Sequence, residues 1–225
     1  MKEQWCLEKI DAPFIANMED ILDIYERPYD PKIPVVCFDE RPCQLIDDVV
    51  QPVLPSSGRV AREDYHYKRN GTCNVMLAIE PLTGKRTVKI CEYKKKADYA
   101  SFMTDLTKAY PGVDKIILVQ DNLNTHSPSA FYASFPPEKA FDLMRNVEMH
   151  FTPKRASWLN MVEIEFAAMS KQCLDRRIGN MKCLAHEVGI WIKDRIRKKI
   201  KIDWQFSVKD ARKKFAKPYN NIKNN

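Results

Sequence analysis

No apolar run in this chain approaches the roughly 18–20 residues that cross a bilayer. The N-terminal stretch MKEQWCLEKIDAPFIANMED scatters acids where a signal peptide would carry an apolar core. A soluble, cytoplasmic chain with no membrane partner is expected. No CxxC pair is present. The seven cysteines (Cys6, Cys37, Cys43, Cys73, Cys91, Cys173, Cys183) are odd in number and dispersed, as are the four histidines (His66, His126, His150, His186). That argues against a disulfide framework and a structural zinc site, and for reduced, mainly buried thiols. Low-complexity tracts, internal repeats and heptads are missing as well.

What is present is 225 residues, enough to bury one sizeable core, and a formal net charge of +7. The surplus gathers late, in IKDRIRKKIK (192–201) and KDARKKFAK (209–217). Lys193, Arg195, Arg197, Lys198, Lys199 and Lys201 surround Ile192, Ile196 and Ile200, the pattern of an amphipathic helix with a basic outer face. Such a face suits the DNA backbone, although charge runs of this kind are more often solvated helix surface.

Apolar spacing predicts a helix within residues 1–30, closed by Pro28 and Pro31. PVVCFDE (34–40) reads as a buried strand that ends in acids. QPVLPSSGRVAR (51–62) reads as a loop. Asn70-Gly71 is a hairpin signal, followed by a strand over 73–80, a turn at Pro81–Gly84 and an antiparallel partner at 86–94. A helix over 97–109 leads to the strand KIILVQ. Ser127 and Pro128 are expected as N-cap and first position of the next helix. A strand at 147–153 and helices at about 158–177 and 182–201 complete the series, with Ser207 and Asp210 capping a last short helix. The order predicts a mixed sheet with helices on both faces. The expected organisation is a helical lead-in (1–30), a catalytic domain (31–205) and a basic C-terminal helix or tail (206–225).

Two buried strands, far apart in sequence, each run into a carboxylate: Asp39 beside Glu40, and Asp121. In open α/β sheets, ligands bind at the carboxyl ends of strands. Two ionised carboxylates a few ångströms apart need a proton or a cation between them, and a hard ion such as Mg²⁺ takes oxygen ligands of this kind. A third acid lies in ASWLNMVEIEF (156–166). Leu159, Val162, Phe166, Met169 and Cys173 form an apolar stripe there. Glu163 and Glu165 flank it, each roughly 80° from its centre, and periodicity does not choose between them. Glu40, on the opposite strand face from Asp39, is expected to point away.

Taken together, VVCFDE, LVQDNLNTH and HFTPKRASWLNMVEIEF resemble the DDE transposases of bacterial insertion sequences, closest to the insertion sequence 630 branch related to mariner elements. WCLEKI, RNGT, QCLDRRI and WQFSVKDAR extend the likeness over most of the chain. The resemblance implies a ribonuclease-H-like mixed five-stranded sheet. It implies Asp39, Asp121 and Glu163 as catalytic metal ligands, Glu163 being preferred because it stands three positions after Asn160. It also implies Mg²⁺ (with Mn²⁺ as a substitute), two ions, and cut-and-paste cleavage and strand transfer of DNA by a homodimer. Accessory roles fall to Asn122, His126 and Asn160, and phosphate contacts to Lys154 and Arg155. A structural, hydrogen-bonded His126 and a Trp158 anchored in the core are the plainer expectations for those two residues.

The chain departs from that pattern twice. The interval from Asp121 to Glu163 is longer than in mariner-type relatives, with YASFPPEKAFDLMRN accounting for the excess. There is also no room before Asp39 for the usual end-reading helix-turn-helix, so sequence-specific end binding is not expected of this chain. The alternatives are a remnant that binds DNA without cutting it, and a ribonuclease-H-type nuclease acting on RNA–DNA hybrids.

Overall fold

Alternation along two strands sets the faces of the sheet. The computed structural model describes residues 10–223 apart from 52, 54, 61 and 63; Cys6 and most of the WCLEKI motif lie outside the described residues. Five strands are arranged in the order β3-β2-β1-β4-β5. They are β1 (Val35–Asp48), β2 (Tyr67–Glu80), β3 (Lys85–Cys91), β4 (Ile116–Gln120) and β5 (Val147–Phe151). The β1–β2 and β2–β3 pairs are antiparallel, while β1–β4 and β4–β5 are parallel. This is the mixed five-stranded sheet expected from the element order.

Cys37, Leu77, Ile117 and Val119 point to one face, where they join Met18, Ile21, Leu22, Leu159, Val162, Phe166, Met169, Val188 and Phe215 in a single core. These come from helices α1 (Ala12–Glu26), α5 (Val162–Gln172) and α6 (Met181–Arg197), from Leu159 in the turn before α5, and from Phe215 between α7 (Val208–Lys214) and α8 (Ala216–Lys223). Val36, Phe38, Met76 and Leu118 point the other way, into a core closed by α2 (Lys96–Ala109), α3 (Ser129–Ser134) and α4 (Pro137–Asn146). The stripe Leu159–Val162–Phe166–Met169–Cys173 is buried along its whole length. Ser207 and Asp210 form the expected capping box of α7. Among the described residues the cysteines are free and mostly buried, and no helix is long and apolar enough to cross a membrane.

Several local expectations are corrected by tertiary pairing. Strand β1 does not stop at the acids. It runs eight residues further to Asp48, because β2 is long enough to pair with it as far as Tyr67. Asn70-Gly71 is no hairpin turn: β2 passes straight through it, and the register slips between Gln44 and Ile46. The two residues sit opposite Leu45 as a bulge, with Gly71 at φ 95°, a conformation that favours glycine. Ser127 is not an N-cap. Pro128 occupies that position and the Ser127 hydroxyl bonds Ser129 Oγ instead. The segment before β5 breaks into two helices at Pro136-Pro137, since proline restricts the residue before it and cannot continue a helix. The helix expected at 158–177 begins only at Val162, after a 3₁₀ turn at Ser157–Leu159. That turn leaves Trp158 40% exposed against the edge of Phe206 rather than anchored in the core.

Candidate active site

The last parallel rung between β1 and β4 pairs Cys37 with Val119. Two residues further along each strand come Asp39 and Asp121. Side chains alternate with period two, so Asp39 follows Cys37 toward the face covered by α5, while Asp121, just past the end of β4, stands at the strand tip beside His126. β4 ends at Gln120 while β1 continues, and the resulting step opens the sheet at this point. Helix α5 brings Glu163 in its first turn.

Asn160 fixes that helix start. Its Nδ2 donates to the Phe38 carbonyl at 2.8 Å and its Oδ1 accepts from the Val162 amide at 3.3 Å, all buried. The Tyr25 hydroxyl adds a bond to the Leu159 carbonyl at 2.8 Å. The residue before Asp39 is thereby tied to the turn that carries Glu163.

The three acids influence one another. Burial pushes the Asp39 carboxyl up to about 7, the Glu40 amide donated to its Oδ1 opposes this, and the charges of Asp121, Glu40 and Glu163 reinforce it. Burial also raises Glu163, with Arg41 counteracting and Asp121 adding. At Asp121 burial works upward but is outweighed by His126, whose bond and charge hold the carboxyl below its usual range. Among the described residues no three His, Cys, Asp or Glu side chains already stand close enough together to hold a metal ion. The donor set nevertheless suits a hard divalent cation. It is all oxygen, it is partly desolvated, and its members repel one another until a positive charge lies between them. Side-chain rotation would have to draw the carboxylates together.

Glu165 is a different case. Its fully buried carboxylate accepts two bonds from Arg86, both at 2.9 Å, and two from Arg195, at 2.8 and 2.6 Å. Burial tends to raise its pKa, but the two guanidinium groups win and hold it low. Periodicity leaves the two glutamates equivalent, but these arginines engage both oxygens of Glu165, while Glu163 carries no such pair among the described residues. Arg195 is therefore removed from the expected DNA-contacting set: it is buried on the inner face of α6, over the Trp191 ring.

The remaining basic residues divide by location. Lys154 and Arg155 are exposed and line an open hollow of about 510 Å³ with Asp121, Asn122, Thr152 and Ser157. Lys193, Arg197, Lys198 and Lys199 are exposed but do not gather at the acids. α6 packs over β3, and the chain after it runs beside the β2–β3 turn, where the Ile202 amide donates to Pro81. Arg197 and Lys198 are further engaged by Asp194.

Three residues near the acids were not assigned roles from sequence. Arg41 lies between Glu163 and the Phe166 carbonyl, to which it donates at 3.0 Å. Lys94 approaches Glu40 at 3.9 Å. Glu40 does point away from Asp39, but not into water. Its side chain is buried, and its Oε2 lies 2.8 Å from His126 Nε2, an ion pair when the imidazole is protonated. His126 Nδ1 meets Asp121 Oδ1 at 2.5 Å. The adjacency of Asp39 and Glu40 in sequence carried no signal of that arrangement, because the partner histidine comes from another loop.

A family model described as DDE superfamily endonuclease matches residues 34–185, which include all three acids. Among solved structures, the Mos1 transposase paired-end complex with left transposon end aligns with a TM-score of 0.58 at 13% identity, over 91% of this chain and 67% of that one. The Mos1 mariner paired-end complex with Mn gives 0.57 at 14% identity, over 89% and 61%. A pre-cleavage Mos1 transpososome gives 0.56 at 13% identity, over 88% and 64%. At these identities the likeness is one of fold, and the chain spans about two thirds or less of the length of those proteins. No curated protein matches the chain significantly.

Proposed function

Since the chain belongs to the DDE superfamily endonucleases, we propose that it is a transposase catalytic domain, which cleaves DNA and joins the freed 3′ end to a target. The observation that carries this reading is the convergence of Asp39, Asp121 and Glu163. Three separate elements bring these carboxylates to one opening in the sheet, where their charges perturb one another. Asp39 and Asp121 together, and Glu163 with one of them, would hold two Mg²⁺ ions. Such ions, when bound, favour a hydroxide nucleophile and offset charge on the departing 3′ oxygen of a phosphodiester.

The chain's own residues supply position and electrostatics. Asn160 holds Glu163 against the strand that carries Asp39. His126 restrains Asp121. Lys154 and Arg155, on the wall of the hollow beside Asp121, would hold the DNA phosphates, which fixes the scissile bond over the acids. Action as a homodimer on paired DNA ends belongs to the same proposal.

The test is incubation of the purified chain with supercoiled plasmid and with short duplexes bearing a free 3′-hydroxyl, in Mg²⁺ and in Mn²⁺, against the variant Asp121→Asn. Nicked or joined products from the parent and none from the variant support the reading. Equal activity in both removes it. Cleavage confined to RNA–DNA hybrids would transfer the chain to the ribonuclease-H-type alternative.

A further inference from the structure

His126 occupies a cage built around its ring. The Tyr99 ring stacks on it at 4.9 Å and the Phe38 ring meets it edge-on at 5.3 Å. Its backbone is fixed as well: the amide donates to the Leu123 carbonyl at 2.8 Å, and its own carbonyl accepts from Gln120 Nε2 at 3.2 Å. Gln120 is itself held, at 2.9 Å, by the Tyr99 hydroxyl. The imidazole is 1% exposed and the Glu40 side chain 3%. A ring so enclosed has one orientation, and in it the two nitrogens face two carboxylates: Nδ1 toward Asp121 Oδ1 and Nε2 toward Glu40 Oε2.

Asp121 Oδ1 accepts a second contact, from the Leu123 amide at 3.3 Å. Among the described residues Oδ2 accepts none. One oxygen is anchored twice, and the other is left without a hydrogen bond from the described residues.

We propose that Glu40 and His126 form a positioning pair for Asp121. Glu40 braces the imidazole from behind, and the imidazole pins Oδ1, so that Oδ2 is offered in one fixed direction. Neither residue touches substrate. The inference rests on the reading of Asp121 as a ligand and adds how its geometry is set. Outer partners of this kind orient ligands and are worth about 10–100-fold in metal affinity. The alternative is that His126 merely fills its cage and that Asp121 is placed by its own backbone.

Two substitutions separate these ideas. In His126→Asn the side-chain amide falls near the place of Nδ1 and can still donate to Asp121. In His126→Gln the amide falls near the place of Nε2, so the contact with Glu40 survives and the one with Asp121 is lost. Both remove the ring from the same cage. Mn²⁺ binding to the full chain, by calorimetry at low salt, is expected to weaken about 10–100-fold in His126→Gln and to recover most of that in His126→Asn. Equal affinities in the two variants overturn the positioning role. Asp121→Asn run alongside isolates the premise: if it binds Mn²⁺ as the parent does, the ligand assignment fails. Crystal structures of the two variants without metal then decide the positioning claim separately. Asp121 turned away from its parent orientation only in His126→Gln supports the hold of the imidazole on Oδ1, and an unmoved Asp121 in both refutes it.

Discussion

Asp39 and Asp121 each stand two residues beyond the rung that joins Cys37 to Val119, the last that β1 and β4 share. A common register, with one strand ending and the other continuing, brings the two acids to the same edge of the sheet. It also places like charges together in a partly desolvated site, and that cost should be measurable.

Asp39→Asn is expected to stabilise the metal-free protein. The folded-state carboxyl at about 7 lies above its ordinary value of 3.8. Between those values the folded protein holds a proton that the unfolded chain has released. The stability it contributes is complete below the ordinary value and is lost as pH rises through about 7. The advantage of the asparagine variant should therefore grow from pH 5 to pH 8, toward at most about 2–4 kcal/mol. Thermal melts across that range check it, and a constant difference would contradict it. Added Mg²⁺ should narrow the gap by stabilising only the parent.

The two glutamates of α5 should separate cleanly. Glu165→Gln leaves Arg86 and Arg195 buried without their shared counter-charge, an effect of about 3–5 kcal/mol. Glu163→Gln should stay within about 1 kcal/mol of the parent in stability while losing cleavage. Denaturant unfolding alongside a nicking assay reads both quantities.

Asn160→Ala removes the buried donor to the Phe38 carbonyl. A loss of about 1–3 kcal/mol is expected from the orphaned carbonyl. Cleavage should fall even at temperatures where the variant is fully folded, because the turn carrying Glu163 is no longer tied to β1. Unchanged activity in the folded variant would show that α5 is placed by its apolar stripe alone.

Salt dependence should distinguish the basic residues. Lys154→Ala is expected to lower the slope of log affinity for duplex DNA against log salt by about 1, the signature of one lost phosphate contact. Arg195→Ala should leave the slope unchanged and lower the melting temperature, since its guanidinium belongs to Glu165. A reduced slope in Arg195→Ala would return it to the DNA-contacting surface.

Much of this was readable in the chain. Runs of alternating or continuous apolar residues located the strands and most helices, because burial of one face imposes its period on the sequence. The same period set Asp39 and Glu40 on opposite faces of their strand. Caps and turns were less legible. Ser127 resembled an N-cap and Asn70-Gly71 a hairpin, yet each was overruled by what the neighbouring chain required. In the second case the partner strand continued past the turn signal, and the glycine was used for a bulge instead.

The sequence by itself determined the order of elements, the two faces of the sheet and the pair of strands that carry acids, since these follow from local periodicity. It left Glu163 and Glu165 equivalent, for both flank the same stripe. Only the tertiary structure makes their surroundings differ, by bringing Arg86 from β3 and Arg195 from α6 onto the carboxylate of Glu165 and not onto that of Glu163. It likewise turned Glu40 from a spare acid into the buried neighbour of His126. Charge pairing in a desolvated interior depends on which distant side chains arrive at the same point, and no local pattern records that.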